Sequence, residues 1–143
     1  MSKKIVITGG CGFIGSHLVE LLSESNEVIA FDRYNSESDH YWLTNSKFKD
    51  RFSVVLGDIR DYDSVQSVLK GADVVIHMAA LIGIPYSYVS PLAYIRTNVE
   101  GTYNVLQASK ELELDQVMIT STSETYGLSL INISEPTRPT PIS

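Results

Sequence analysis

The 143 residues carry 11 Lys and Arg against 17 Asp and Glu, a formal charge of -6 at pH 7, and their 43% apolar content is ordinary for one globular domain. The acidic balance, with no basic run longer than Lys3-Lys4, excludes a nucleic-acid or anionic-membrane surface and leaves small molecules as the expected partners. A single cysteine, Cys11, excludes an internal disulfide, no apolar stretch reaches membrane-spanning length, and MSKKIVITGG is too short in apolar residues for a signal peptide, so a cytoplasmic protein is expected.

Short β-branched runs alternate with helical patterns along the chain. Ile5-Val6-Ile7 reads as a buried strand, and the glycines after it lead into Phe13 to Glu24, where Ile14, Leu18, Leu21 and Leu22 recur at helical spacing. Glu27 to Phe31 is a second strand. Asp32 to Asp50 is polar and irregular, with His40, Tyr41 and Trp42 in its middle. Phe52 to Leu56 is a third strand, followed by a short helix over Val65, Val68 and Leu69 that stops at Gly71 in a left-handed C-cap. Asp73 to His77 makes a fourth strand. A loop with Gly83 and Pro85 then leads to a long helix from near Pro91, whose Val99, Tyr103 and Leu106 share one face, and Gln116 to Ser121 is a fifth strand. Buried strands separated by helices predict a parallel sheet covered on both faces.

The segment Thr8-Gly-Gly-Cys-Gly-Phe-Ile-Gly15 lies between the first strand and the first helix, the context in which a glycine motif carries meaning. Glycine at Gly9, Gly12 and Gly15 lets the backbone approach a pyrophosphate, and the helix that starts at Phe13 and Ile14 directs free N–H groups and its dipole at an anion. A ligand-free glycine turn is the bland alternative, but Asp32 stands 20 residues beyond Gly12 at the end of the second strand, where a carboxylate accepts hydrogen bonds from ribose hydroxyls. The implied fold is α/β, a Rossmann doubly wound parallel sheet with five strands in the order 3-2-1-4-5, incomplete at one edge. Asp32 repels a 2′-phosphate and so points to NAD, while neighbouring Arg33 leaves NADP open. Cys11 reads as a small turn residue, and neither His17 nor His40 has companions at metal-ligand spacing, so no metal site is expected.

Six ordered motifs follow one another: the glycine loop, Asp32, Gly57-Asp58-Ile59, His77-Met78-Ala79-Ala80, Asn98-Val99-Glu100-Gly101-Thr102 and Ser121-Thr122-Ser123-Glu124-Thr125-Tyr126-Gly127. Over Lys3 to Gly127 they resemble the extended short-chain dehydrogenase/reductase family of NAD-dependent nucleotide-sugar epimerases and dehydratases. The resemblance implies that Asp58 and Ile59 border the adenine, that Met78, Ala79 and Ala80 pass the nicotinamide half, and that Asn98 fixes the loop after the fourth strand. Read from the residues alone, Gly57-Asp58 has a plain strand-end turn as its lesser alternative, His77 is a packing residue rather than a base, and Tyr86, Tyr88 and Tyr94 are either a sugar pocket or packing. Tyr86 and Ser87 are the expected substrate contacts.

The resemblance also assigns the chemistry. Thr122 stands where the family hydrogen-bonds the sugar hydroxyl to be oxidised, and Thr122-Ser123-Glu124 is similar to the 4,6-dehydratases, in which the glutamate removes the C5 proton. A carboxylate partly dried by substrate has a raised pKa suited to that task. Ser123 occupies the position where some dehydratases have an aspartic acid that protonates the departing C6 hydroxyl; serine is a poor acid, and the pattern is closer to the GDP-mannose type. The run from Ala79 to Pro91 is most similar to the 4,6-dehydratases of the legionaminic-acid type, and a 4-epimerase or decarboxylase on the same scaffold, or a non-catalytic dinucleotide-binding module, stays open. The nucleotide-sugar enzymes of the family often form homodimers through the helix corresponding to Pro91 to Glu111. Their Tyr-x-x-x-Lys pair is expected downstream of Gly127 and is not found in this sequence. Instead LSLINISEPTR, residues 128 to 138, resembles a translated sequencing-library adapter that differs only at Asn132, so 1-127 is expected to be the dinucleotide-binding domain and 128-143 a tail without a core-packing pattern.

Overall fold

The computed structural model describes residues 2–37 and 39–122. Five strands, β1 (Lys4–Thr8), β2 (Glu27–Arg33), β3 (Phe52–Gly57), β4 (Val74–His77) and β5 (Gln116–Ile119), pair in parallel in the order β3-β2-β1-β4-β5. Parallel neighbours require crossovers, and the helices supply them: α1 (Phe13–Leu22), α2 (Tyr62–Leu69), α3 (Ile84–Val89), α4 (Pro91–Tyr94) and α5 (Gly101–Glu111), with a π-helical turn over Ile95–Glu100 joining the last two.

Side chains alternate across a strand, so each central strand feeds two cores. Ile5, Ile7, Val28, Ala30, Val74 and Ile76 point to the face covered by Val19 of α1, with Leu43 beside them. Val6, Phe31 and Val75 point the other way, against Val65, Val68 and Leu69 of α2 and Val105 and Ala108 of α5. Each such aliphatic side chain contributes about 1.5–3 kcal/mol on burial, which ties the two helical layers to one sheet. The strand order reverses between β1 and β4, and a crevice opens there beyond the carboxyl ends of the strands.

Four local details depart from the expectations. Residues 84–89 form α3 rather than a loop, because Pro85 sits in the first turn, where no donor is needed, and the Gly83 carbonyl accepts the Tyr86 and Ser87 N–H groups at 3.0 and 3.2 Å. The following helix begins at Pro91 as expected but is not uniform, since the π-helical turn interrupts it. Helix α2 ends at Leu69, and Gly71, with φ of 73°, is the third residue of a tight turn closed by Ala72 N–H to Leu69 O at 2.9 Å rather than a cap on the helix itself. Strand β5 stops at Ile119, short of Ser121.

The stripe on the last helix faces outward: Val99 is 64% and Tyr103 61% exposed, with Leu92, Ile95 and Leu106 on the same surface. Its buried side is made of small or polar residues, Gly101, Asn104, Val105, Ala108 and Ser109. Every residue of β5 is exposed as well, which leaves an apolar sheet edge. No helix among the described residues is long and apolar enough to cross a membrane. Ser123, Glu124 and the 128-143 tail lie outside the described residues.

Candidate functional site

The glycine loop owes its shape to contacts that any side chain would break. Gly9 has φ of 71°, and a Cβ there would stand 2.9 Å from the Ala79 nitrogen; at Gly15 a Cβ would stand 2.2 Å from the Gly9 carbonyl oxygen. The loop therefore lies directly against the residues after β4, and α1 starts flush with it. Gly12 is the N-cap of α1 and has no side chain with which to satisfy the first-turn N–H groups. Those donors and the helix dipole favour an anion. The side chains of Phe13 and Ile14, on the same turn, are exposed.

Asp32 sits at the end of β2 with its carboxylate held from two sides. Oδ2 accepts the Cys11 N–H at 2.8 Å and Oδ1 the Arg33 N–H at 2.7 Å. A carboxylate has about four lone-pair positions, so this one is oriented with acceptor capacity to spare for ligand hydroxyls. Asp58, after β3, is bound more tightly: it accepts the Arg60 backbone N–H at 2.9 Å and a forked guanidinium contact, with Nε at 2.9 Å and Nη2 at 2.5 Å. That guanidinium holds the Asp58 carboxyl below the usual carboxylate range. Burial, reinforced by the charges of Asp32 and Asp39, pushes the Cys11 thiol up to about 12, so it stays protonated at neutral pH and is unsuited to nucleophilic chemistry.

The loop after β4 is held by a chain of hydrogen bonds whose directions follow from counting donors and acceptors. The Thr8 hydroxyl lies 2.7 Å from Nδ1 of His77 and accepts the Ala79 N–H at 3.2 Å, while the Met78 N–H is shared between this hydroxyl and the Thr8 carbonyl, both at 3.1 Å; on the other side of the ring the Thr102 proton is already committed to the Asn98 carbonyl, so Nε2 must be the donor there. Nδ1 is thus the acceptor and Nε2 carries the proton, which it donates to the Thr102 hydroxyl at 3.0 Å; Thr102 in turn donates to the Asn98 carbonyl at 2.8 Å. His77 is buried and neutral, and desolvation pushes its pKa below the ordinary histidine value. The Asn98 carboxamide then grips Leu81 twice, accepting its N–H and donating to its carbonyl, both at 2.8 Å. In the same stretch Gly101 makes room for Ile59, whose side chain a Cβ would meet at 2.6 Å, and Asn104 donates to the Ile59 carbonyl at 3.0 Å. A wide helical turn with one residue inserted is what lets Asn98, Gly101 and Thr102 reach three different partners.

These pieces surround one cleft of about 450 Å³. Of the residues singled out in the sequence, Gly9, Gly12, Asp32, Arg33, Asp58, Ile59, Met78, Ala79 and Ala80 line it, while Phe13, Ile14, Gly15 and Asn98 do not and support it from the loop, the first helical turn and the π-helical turn. Tyr86 and Ser87 are not brought to the cleft: Ser87 Oγ donates to the Ile84 carbonyl at 2.6 Å, and Tyr86 packs against Tyr94 with ring centroids 6.1 Å apart. Thr122 lies just beyond β5, and its neighbours Ser123 and Glu124 fall outside the described residues. Tyr41, Trp42, Arg60, Leu81 and Thr97 also line the cleft and were not singled out as binding residues. The signal for the first two was there, an aromatic pair in an otherwise polar segment.

Residues 6–143 match the family model described as GDP-mannose 4,6 dehydratase. The chain is 34% identical over 136 residues to the UDP-N-acetyl-alpha-D-glucosaminuronate decarboxylase of Bacillus cytotoxicus, which covers 94% of this chain and 41% of that protein. Among solved structures it is similar to DesIV, the dTDP-glucose 4,6-dehydratase of Streptomyces venezuelae with NAD and TYD bound, at a TM-score of 0.77 and 33% identity over 87% of this chain and 41% of that one. It is also similar to the UDP-N-acetylglucosamine 4-epimerase of Methanobrevibacter ruminantium in complex with UDP-N-acetylmuramic acid, at a TM-score of 0.76 and 31% identity over 99% of this chain and 43% of that one. The chain spans well under half the length of these relatives.

Proposed function

The chain belongs to the family that the GDP-mannose 4,6 dehydratase model describes, and from that premise we propose that it is the NAD-binding part of a nucleotide-sugar 4,6-dehydratase. The observation that carries the cofactor reading is the convergence, in one cleft, of the glycine loop, an Asp32 carboxylate oriented by two backbone N–H groups, and a rigidly held loop after β4. Bound NAD would supply the hydride acceptor, and later the hydride donor, for the sugar.

The chain's own residues hold the cofactor and supply part of the chemistry; the Tyr-x-x-x-Lys pair, whose tyrosine takes the C4 hydroxyl proton in the family, is not among these 143 residues, so turnover is expected only of a family-length protein. The loop N–H groups and the α1 dipole hold the pyrophosphate, and the spare lone pairs of Asp32 accept the adenosine ribose hydroxyls. The same negative charge disfavours a 2′-phosphate, so NAD is preferred to NADP even with Arg33 alongside. Asp58 and Ile59 border the adenine, and Met78, Ala79 and Ala80 offer a surface kept in position by His77 and Asn98 to the nicotinamide half. Thr122 hydrogen-bonds the C4 hydroxyl, and once C4 is a ketone Glu124 removes the acidified C5 proton while the C6 hydroxyl leaves as water. Ser123 stands in the motif where some dehydratases of the family have the acid that protonates that departing oxygen, and serine is a weak proton source.

A 4-epimerase or decarboxylase is the second reading, favoured by the names of two similar proteins. Product analysis of a family-length protein that contains this chain, given GDP-mannose, dTDP-glucose, UDP-N-acetylglucosamine and, for the decarboxylase reading, UDP-glucuronic acid in turn, separates the readings. A 4-keto-6-deoxy sugar, lighter by one water and absorbing in alkali, is expected; a product of unchanged mass or one lighter by carbon dioxide would replace the dehydratase reading. Glu124→Gln should lower turnover about 10²-fold or more with NAD binding intact. The same protein is proposed to be a homodimer that buries the outward stripe at Val99 and Tyr103.

A further inference from the structure

The polar segment after β2 contributes Tyr41 and Trp42 to the lining of the cleft, and one of the two has an unexpected backbone. Tyr41 has φ of 47°, the left-handed region that favours glycine and in which a bulky side chain is a genuine outlier. The turn around it is firmly made. Tyr41 N–H donates to Asp39 Oδ1 at 3.2 Å, its carbonyl accepts the Thr44 N–H at 3.2 Å, and Thr44 Oγ1 donates to Asp39 Oδ1 at 2.5 Å. Leu43 is buried in the core beneath. All of these contacts use the backbone of residue 41 or its neighbours, and glycine would satisfy them with less strain. What tyrosine adds is a ring, and that half-exposed ring, 51% accessible, lines the cleft.

Trp42 shares the position and is anchored to the glycine loop. Its backbone N–H donates to the Cys11 carbonyl at 3.3 Å, and its ring meets Phe13 edge-on with centroids 5.1 Å apart. Cys11 is also the residue whose N–H holds Asp32, so the aromatic pair stands on the side of the cleft where a dinucleotide places its adenosine ribose. We infer that Tyr41 and Trp42 form an aromatic wall for the adenosine half of the dinucleotide, and that the left-handed backbone at Tyr41 is retained because it presents the ring to that ligand. Strain of this kind collects at ligand clamps, where the surrounding structure over-determines it. The inference rests on the NAD reading above and adds to it an affinity determinant.

The test uses the full chain with NAD and ADP as probes, followed by calorimetry and by the fluorescence of Trp42, the one tryptophan in the sequence. Three proteins are compared: wild type, Tyr41→Gly and Tyr41→Phe. Tyr41→Gly should melt at the same temperature or higher, because strain is relieved, yet bind both probes at least about fivefold more weakly, because the ring is gone. Tyr41→Phe keeps the ring and should bind as wild type does. If wild type binds the probes and Tyr41→Gly binds them equally well, the wall is refuted and the NAD reading stands. If wild type binds neither probe, the NAD reading falls and the wall with it.

Discussion

Acidification should loosen this fold through His77, in a pH range distinct from that of its carboxylates. The ring is 3% exposed, takes the Thr8 proton on Nδ1 and gives the Nε2 proton to Thr102. An added proton on Nδ1 would displace the Thr8 hydroxyl proton that this nitrogen accepts and would place a charge in a buried ring, so the folded state resists it. The unfolded chain takes that proton near 6.5, whereas burial pushes the folded value below this. The stabilisation is therefore fully present above pH 6.5, declines as the pH falls toward the folded pKa with a slope of at most about 1.4 kcal/mol per pH unit, and then levels off. His77→Leu cannot titrate and leaves the Thr8 proton without its acceptor and the Thr102 oxygen without its donor, at a cost of about 1–3 kcal/mol at pH 7.5. Urea unfolding of both proteins from pH 7.5 to 5 should show the gap between them narrowing as the pH drops. The Asp58 carboxyl, depressed from 3.8 by Arg60, contributes stability that is present above 3.8 and lost as the pH falls through its folded value, outside that range. A gap that stays constant from pH 7.5 to 5, or a nitrogen NMR spectrum showing the proton on Nδ1, would refute the assigned hydrogen-bond chain.

Gly15→Ala would press a methyl against the Gly9 carbonyl oxygen at 2.2 Å, and since both sides are backbone it should destabilise by about 1–3 kcal/mol and abolish NAD binding. Wild-type urea stability in that variant would contradict the close approach. Asp32→Asn keeps an acceptor but loses the charge, so NAD affinity by calorimetry should fall about tenfold and the preference for NAD over NADP should shrink; an unchanged ratio would mean that Asp32 does not discriminate. Tyr103→Asp places a charge in the outward stripe and should shift a family-length protein from dimer to monomer in sedimentation, with no change if the stripe faces solvent in the assembly.

The sequence by itself determined the strands, the helices after β1 and β3 and the one from Pro91, the parallel sheet and the glycine-loop-to-Asp32 relation, because each rests on a local pattern: β-branched runs, helical periodicity, and a spacing of 20 residues along the chain. It also indicated that Asn98 steadies the loop after β4, a reading taken from family resemblance, and the carboxamide clamp on Leu81 now gives that reading a geometry. Only the tertiary structure decided the rest. His77 looked like a packing residue because its partners, Thr8 and Thr102, are 69 and 25 residues away and meet it only when β1, β4 and α5 come together. Val99, Tyr103 and Leu106 announce a stripe through their spacing, but periodicity does not say which body a stripe faces, and here the sheet is covered by the opposite, small-residue side of the helix. Tyr41 and Trp42 stand in a segment with no periodic signal, and they reach the cleft because Leu43 is drawn into the core and Trp42 is tied to the Cys11 carbonyl. Local patterns set elements, whereas contacts distant in sequence set which side chains share a cleft.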